Sequence, residues 1–302
     1  MMIASLSILS LCGCSQKQES PFLAFSVYDQ KSARMTALIN DVLGEAEAAG
    51  FSVEWRCSDR SVKQQALDIQ ELTAMSPEYL AVTPMQVLGL GEVLEEAKEA
   101  GIKIILLDGT VSDLEEDVVL SVIRPDAQWE GEECAKLLKV FFGEQEAGIL
   151  EVQGLAGNSQ AQLRSNGFRN QLCQYDNLNL AGVVQGDYTR ITAGSNIEVF
   201  MEKTGEVDGV FAHSDEEGLG ALMALDTLEA EECPIVSING QQDAKLALLA
   251  GSYLGSLESM PYLGESLMNV IQADQAGEEV ERELLLRGNM YTQENAEQMQ
   301  GY

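Results

Sequence analysis

The chain has 302 residues, 45% of them hydrophobic and 22% charged, which is enough apolar material for two lobes of roughly 100–150 residues each. Its 49 acidic and 18 basic residues leave a formal net charge of -31, so nucleic acid is excluded as a partner, because phosphate contacts need Lys and Arg clusters. The same acidity favours solubility. One histidine, and no G-x-S-x-G, Walker loop or HExxH motif, give no enzyme signature.

In chain order, the first fourteen residues, MMIASLSILSLCGC, are apolar and end in Leu11-Cys12-Gly13-Cys14 before the chain turns polar at SQKQES. The run is too short to span a bilayer. It resembles a bacterial lipoprotein signal, in which a Leu and two small residues precede the acylated cysteine. That resemblance implies export, a signal and linker over residues 1–20, and a lipid anchor at Cys14; a buried or disordered N-terminal segment is the plain alternative. Cys57, Cys134, Cys173 and Cys233 are widely spaced, without CxxC or Cys/His pairing. They read as buried thiols and not as metal ligands, with a disulfide open to an exported protein. No metal and no cofactor is expected.

FLAFSVY (Phe22 to Tyr28) then reads as a buried strand, and Ala33 to Ala49 as a helix ended by Gly50. FSVEWRC, a helix over Ser61 to Met75, YLAVTP, a helix over Val87 to Ala100 and KIILLDG continue the alternation, which predicts a parallel sheet with right-handed crossovers. VVLSVIR (Val118 to Arg124) leads through Asp126 into a helix ending at Phe142, and the rhythm restarts with AGILEVQG, LNLAGVVQGDYT, DGVFAHSD and PIVSING. IILLDG and PIVSING end alike, as two related halves would. SYLGSLES, a helix over Pro261 to Ala276 and ELLLRGNMY are too few elements for a third domain and are expected to complete the lobes. The chain would then cross between lobes near Ser121, Leu254 to Ser259 and Arg282 to Leu286, forming a hinge. The expected division is 21–122 plus 257–282 for the first lobe and 123–256 plus 283–302 for the second.

One stretch concentrates the functional signal: Ile149 to Phe168, ILEVQGLAGNSQAQLRSNGF, holds a strand, a glycine-broken turn and a helix start capped by Asn158 or Ser159. Strands emptying into helix N-termini are where open α/β sheets bind ligands. Arg164, about one turn into that helix, is either a planar fork for a polyol or carboxylate or a solvated helix arginine.

The element order, with EVQGLAGNSQAQLRSNGF, VQGDYTR, FAHSDEEGLGAL, SINGQQDAKLALLAG and SLESMP, resembles the ribose/galactose-type (type I) periplasmic sugar-binding proteins of ABC importers, and among them the galactofuranose-binding branch. The resemblance implies an α/β fold of two Rossmann-like lobes with parallel sheets, joined by a three-stranded hinge and closing over a sugar. It implies ligand contacts from Asp108, Arg164, Tyr188 (an aromatic on the sugar face), Ser214, Asp215 and Asn239, with Tyr28, Arg34 and Glu258 beside them. Gly109, Arg34-Met35, Ser214 and Asn239 depart from the family pattern and imply a rebuilt pocket. The expected function is an extracytoplasmic, lipid-anchored, monomeric solute-binding protein that delivers a monosaccharide, furanose or related polyol to an ABC permease. The alternative is a receptor subunit reporting that ligand to a membrane sensor kinase.

Each residue also has a plain reading. Asp108 and Asn239 could be turn residues before glycine, Tyr188 a half-buried loop aromatic and Asp215 a helix cap, while His213 reads as packing. The adjacent acids Glu115-Glu116 and Glu216-Glu217 read as solvated faces, since neighbours in sequence do not share a helix face.

Overall fold

Strand order repeats between the two halves of the chain. In the computed structural model, which describes residues 21–302 other than 87, 113, 116, 206, 231 and 232, the first half runs β1 (Phe22–Val27), α1 (Ala33–Ala48), β2 (Ser52–Cys57), α2 (Val62–Ala74), β3 (Tyr79–Val82), α3 (Gly91–Glu99), β4 (Lys103–Leu107) and β5 (Val119–Pro125). The second runs α4 (Ala127–Phe142), β6 (Ala147–Gln153), α5 (Ser159–Leu172), β7 (Leu178–Gln185), α6 (Arg190–Thr204), β8 (Gly209–Ala212), α7 (Asp215–Thr227), β9 (Ile235–Asn239), α8 (Gln242–Ala250) and β10 (Gly255–Glu258). Helix α9 (Gly264–Ala276), β11 (Glu283–Leu286) and β12 (Met290–Tyr291) follow. One sheet is ordered β2-β1-β3-β4-β5-β11 and the other β7-β6-β8-β9-β10-β12. Every pairing is parallel except that of β12 with β10. Strand β4 therefore matches β9, and Asp108-Gly109 occupies in one lobe the place of Asn239-Gly240 in the other.

Local chemistry sets the helix starts. Ser32, Ser61, Asp126, Asn158, Thr189 and Ser214 each accept a backbone N–H of the first turn, satisfying donors that a helix leaves free. Two helices begin later than their sequence pattern predicts. Gly89, at φ +94°, cannot belong to a right-handed helix, so α3 starts at Gly91 and not near Val87. Leu263 N donates to Pro261 O at 3.1 Å, and α9 starts only at Gly264.

The inner strands of each sheet are buried on both faces, which explains why β1, β3, β4, β8 and β9 are largely apolar, while the edge strands β2, β7 and β11 are partly exposed. In the first lobe α1 and α9 cover one face with Met35, Leu38, Val42, Leu267 and Ile271, while Ile69, Leu72, Leu90 and Leu94 cover the other. In the second, α4 and α5 lie against each other over Phe168 and Phe211, whose rings stack with centroids 4.1 Å apart. Two glycines allow that approach: a Cβ on Gly131 would sit 2.2 Å from the Arg164 carbonyl oxygen, and one on Gly167 would sit 1.9 Å from that of Gln128.

The chain crosses between lobes three times, at Pro125-Asp126, through Ser259 to Leu263, and through Arg287 to Asn289. Ser121 lies inside the first sheet, opposite Ile105, so the first crossing comes later than expected. Strand β11, assigned to the second lobe by the sequence reading, pairs with β5 in the first. The crossings are tied together. Asp126 N donates to Leu286 O at 2.9 Å and Glu258 N to Asn289 O at 2.9 Å. Arg287 Nε reaches Asp126 Oδ2 at 2.9 Å. A Cβ on Gly288 would lie 2.2 Å from Glu258 O, so glycine is required where two crossing segments touch.

The four later cysteines are free, but only Cys134 is buried; Cys57 and Cys233 are half-buried and Cys173 is exposed at the end of α5. Among the described residues no helix is long and apolar enough to cross a membrane. Cys14 and its lipobox lie outside the described residues.

Candidate ligand-binding site

A narrow cavity lies between the lobes, lined by Tyr28, Ser32, Arg34, Arg60 and Asp108 from the first, and by Asn158, Gln160, Arg164, Tyr188, Ser214, Glu216, Asn239 and Gln241 from the second. Nearly all of them follow the C-terminal end of a strand or open the next helix, where backbone N–H groups point outward. Hydrogen bonds among the described residues hold the lobes together around it. Arg60 Nη1 donates to Asp187 O at 2.9 Å, Gln86 Nε2 to Ala156 O at 3.1 Å, Asn158 Nδ2 to Met85 O at 3.3 Å, and Thr110 N to Ser159 Oγ at 3.0 Å.

The two residues nominated from opposite lobes are both in the cavity, and both are already engaged. Asp108, at φ +57°, receives Arg34 on both oxygens, Nη2 to Oδ1 at 2.5 Å and Nε to Oδ2 at 3.4 Å. Arg34 also donates to the Ser259 and Met260 carbonyls. Burial works against its charge, yet the Asp108 carboxylate raises its pKa above the ordinary arginine value. Arg164 is not a solvated helix arginine: it is 3% exposed and donates to Glu130 Oε2 at 2.8 Å, His213 O at 2.8 Å and Ser259 Oγ at 3.2 Å.

Tyr188 follows Asp187 in a turn where both have positive φ, 57° and 54°. Its ring lies on Gly154, where a Cβ would come within 2.1 Å of Cε1, and its hydroxyl donates to Asn158 Oδ1 at 3.2 Å. Its backbone N–H donates to Glu217 Oε1 at 2.9 Å. Ser214 Oγ caps α7 by accepting from Glu217 N at 3.3 Å and donates to Glu217 Oε2 at 2.9 Å, at the cavity wall. Asn239, at φ +138°, places a buried Oδ1 without a partner at the cavity.

Two nominated residues are not in the cavity wall. Asp215 is turned beneath it, where its carboxylate accepts from Ser237 Oγ at 2.5 Å, Ser256 Oγ at 2.7 Å and Gln241 N at 2.6 Å. Burial pushes its pKa up to about 6, with those hydrogen bonds opposing the shift. Glu258 faces the hinge, its Oε2 accepting from Asn289 Nδ2 at 3.2 Å. The pair Glu216-Glu217 is not a solvated face either. Glu216 lines the cavity and receives Arg190 on both oxygens at 2.8 Å, while Glu217 is fully buried behind Tyr188.

Ser32, Arg60, Asn158, Gln160, Glu216 and Gln241 were not nominated as ligand residues. All but Arg60 cap or open a helix that follows a strand, so the strand-end rule alone could have found them.

Behind the wall, His213 is packing, with a structural hydrogen-bonding role. Its Nδ1 accepts from Gly154 N at 3.2 Å, which assigns the proton to Nε2, facing Glu151 Oε1 at 3.0 Å. Glu151 also receives Ser165 Oγ at 2.5 Å and Arg169 Nε at 2.7 Å. Burial opposes its charge, but these partners hold its pKa down at about 2. The network fixes the β6 to α5 turn that presents Asn158, Gln160 and Arg164.

Each arginine lining the cavity has its own carboxylate: Arg34 with Asp108, Arg60 with Asp29 at 3.0 Å, and Arg164 with Glu130, while Glu216 shares Arg190 with Asp243. The arrangement offers balanced charge, many hydrogen-bonding groups and two tyrosines. Among the described residues no His, Cys, Asp and Glu cluster is placed to hold a metal.

A model of the periplasmic binding protein domain matches residues 23–279. The chain belongs to the periplasmic binding protein domain family. Among its relatives, the ribose import binding protein RbsB of Escherichia coli (strain K12) is 27% identical over 217 residues, covering 72% of each chain. A galactofuranose binding protein superposes with a TM-score of 0.89 at 22% identity, over 92% of this chain and 97% of that one. The periplasmic binding protein component of the arabinose ABC transporter from Shewanella sp. ANA-3, bound to α- and β-L-arabinofuranose, gives a TM-score of 0.88 at 25% identity, over 92% and 93%. As a member of this family, the chain carries the two α/β lobes that the sequence resemblance implied.

Proposed function

We propose that this protein is a solute-binding protein that closes its two lobes over a small neutral carbohydrate, a monosaccharide, furanose or related polyol, and delivers it to an ABC permease outside the cytoplasm. The observation that carries this reading is the lining of the cavity, polar groups and two tyrosines converging from both lobes, with each arginine in it neutralised by a carboxylate. A sugar presents hydroxyls that each donate and accept, and apolar C–H faces suited to the Tyr28 and Tyr188 rings. Asp108, Arg164, Ser214 and Asn239 would contact it alongside the two tyrosines and Arg34. Asp215 and Glu258 support the wall and the hinge without touching the ligand. The lipobox ending at Cys14 supports a membrane tether, and the relatives' import role supports transport over sensing.

The test is thermal melting of the wild type with D-ribose, D-galactose, L-arabinose, D-fructose, xylitol and myo-inositol. A compound that binds only the folded state at about a hundred times its Kd adds roughly 2.7 kcal/mol of stability. At least one of the six is expected to raise Tm. No shift with any of them would overturn the carbohydrate reading.

A further inference from the structure

The cavity residues that the family pattern nominates are largely occupied by one another. Arg34 and Asp108 hold each other, Arg164 is held from three sides, and the Tyr188 hydroxyl is bonded to Asn158. Asn158 is fully engaged as well: its Oδ1 accepts from Gln160 N, Ala161 N and Tyr188, and its Nδ2 donates to Met85 O. Against that background two side chains stand out. Gln160 is 4% exposed, and neither its Oε1 nor its Nε2 has a hydrogen-bond partner; Asn239 is also 4% exposed, with Oδ1 unpartnered. Both line the same cavity.

A buried amide without partners is costly, and the sequence had apolar alternatives at position 160, on the second residue of α5, that would have avoided the cost. The unmet demand is explained if a ligand supplies the partner. We infer that Gln160 is the specificity-determining residue of this site, its amide taking one ligand hydroxyl as both donor and acceptor while Asn239 Oδ1 accepts a hydrogen bond from a second. Gln160 offers a donating NH2 group and an accepting carbonyl oxygen whichever way its amide is turned. A ligand that satisfies it must both give and receive a hydrogen bond there, which a hydroxyl does. A carboxylate or phosphate is acceptor-only when ionised and would leave Gln160 Oε1 and Asn239 Oδ1 unmet. The inference rests on the carbohydrate reading above and sharpens it to uncharged ligands whose hydroxyls face α5 and the end of β9.

The experiment titrates the same six compounds, with D-galacturonate and D-ribose 5-phosphate as anionic counterparts, into wild type, Gln160→Met and Gln160→Leu. Ligand-free melting is recorded for each protein. Methionine keeps the length of glutamine without its hydrogen bonds, and leucine serves if that packing fails. A compound that binds the wild type is expected to lose roughly 5–150-fold in affinity for Gln160→Met, while the ligand-free variant melts at or above the wild-type temperature. The two anions are expected to bind the wild type more weakly than their neutral parents. Affinity within about twofold of wild type, smaller than one typical hydrogen bond, would overturn the role of Gln160 and leave the carbohydrate reading standing. A clear drop in ligand-free Tm in both variants would show that the amide serves the fold, and tighter binding of an anion would refute the charge selectivity. If none of the six binds the wild type, the carbohydrate reading falls and this inference falls with it.

Discussion

Arg34 and Arg164 reach across from opposite lobes and meet on one hinge residue, Ser259. Arg34 donates to its carbonyl and Arg164 to its hydroxyl, at 3.2 Å from Nη2. Both arginines line the cavity, so the crossing segment between β10 and α9 is bonded directly to the walls on either side of it. The two bonds can be separated, because Ser259→Ala removes the hydroxyl and keeps the carbonyl. Ser259 is buried, and a hydrogen bond to a charged group contributes about 1.5–3 kcal/mol. We expect that loss in urea unfolding of Ser259→Ala, and a change below about 0.5 kcal/mol, typical of an inert surface site, would show that the hydroxyl does not restrain Arg164.

Arg164 is as much a part of the fold as of the site. Its partner Glu130 is 1% exposed on α4, and the pair bridges α4 to α5. Removing one member of a buried pair leaves an uncompensated charge at a cost of roughly 3–5 kcal/mol, whereas replacing both by apolar residues is often neutral. Arg164→Ala is therefore expected to lose stability on that scale in chemical denaturation, and Arg164→Met combined with Glu130→Met to recover most of it. Wild-type stability in the single variant would contradict the pairing.

The position of that pair depends on how closely α4 and α5 approach. A Cβ on Gly167 would meet the Gln128 carbonyl at 1.9 Å, a rigid backbone atom that cannot move aside alone. Overpacking of this kind typically costs about 1–3 kcal/mol. Gly167→Ala should destabilise to that extent and also weaken carbohydrate binding, since α5 carries Gln160 and Arg164. A substitution that leaves both stability and affinity unchanged would mean that the helices can slide apart freely.

Much of this architecture is legible in the chain. The alternation of apolar runs with capped helices reflects local rules, and Ser32, Ser61, Asp126, Asn158 and Ser214 cap as their residue types predict. The likeness of IILLDG to PIVSING reflects the equivalence of β4 and β9 in the two sheets. What sequence cannot convey is which way a side chain at a strand end turns. Asp215 and Ser214 are neighbours, yet one points beneath the sheet into serines contributed by β9 and β10, partners 22 and 41 residues away, and the other faces the cavity. Glu217 looked like half of a solvated acidic pair because its burial is imposed by the Tyr188 turn, 29 residues earlier.

The proposed lipid attachment at Cys14 is tested in cells. Leu11-Cys12-Gly13-Cys14 lies between an apolar run and the polar stretch SQKQES. Labelling with a radioactive fatty-acid precursor is expected to mark the full-length protein and not Cys14→Ala. Equal labelling of the two would remove the anchor from the proposed function.

Glu217 makes stability depend on pH within the physiological range. It is fully buried, and burial, the largest effect, pushes its pKa from 4.5 up to about 8, although the Tyr188 N–H, the Ser214 hydroxyl and the charge of Arg164 pull the other way. A carboxyl whose pKa is raised on folding keeps its proton in the native state while the unfolded chain releases it. Its contribution is fully present below pH 4.5 and is lost as pH rises through about 8. Asp215 acts in the same direction, but its window closes near pH 6. His213, with a pKa lowered chiefly by burial, acts in the opposite sense and only below about 6.5, and Glu151, held near 2, only below 4.5. Between pH 6.5 and 8 Glu217 is left as the principal source of a decline, of about 1–2 kcal/mol. Glu217→Gln preserves the acceptor for the Tyr188 N–H, but it carries no proton to lose. Urea midpoints measured across this range should fall for the wild type and stay level for Glu217→Gln, with the variant the more stable of the two at pH 8. Parallel curves would mean that Glu217 is ionised in the folded protein throughout, and that the turn carrying Tyr188 is held by a buried charge.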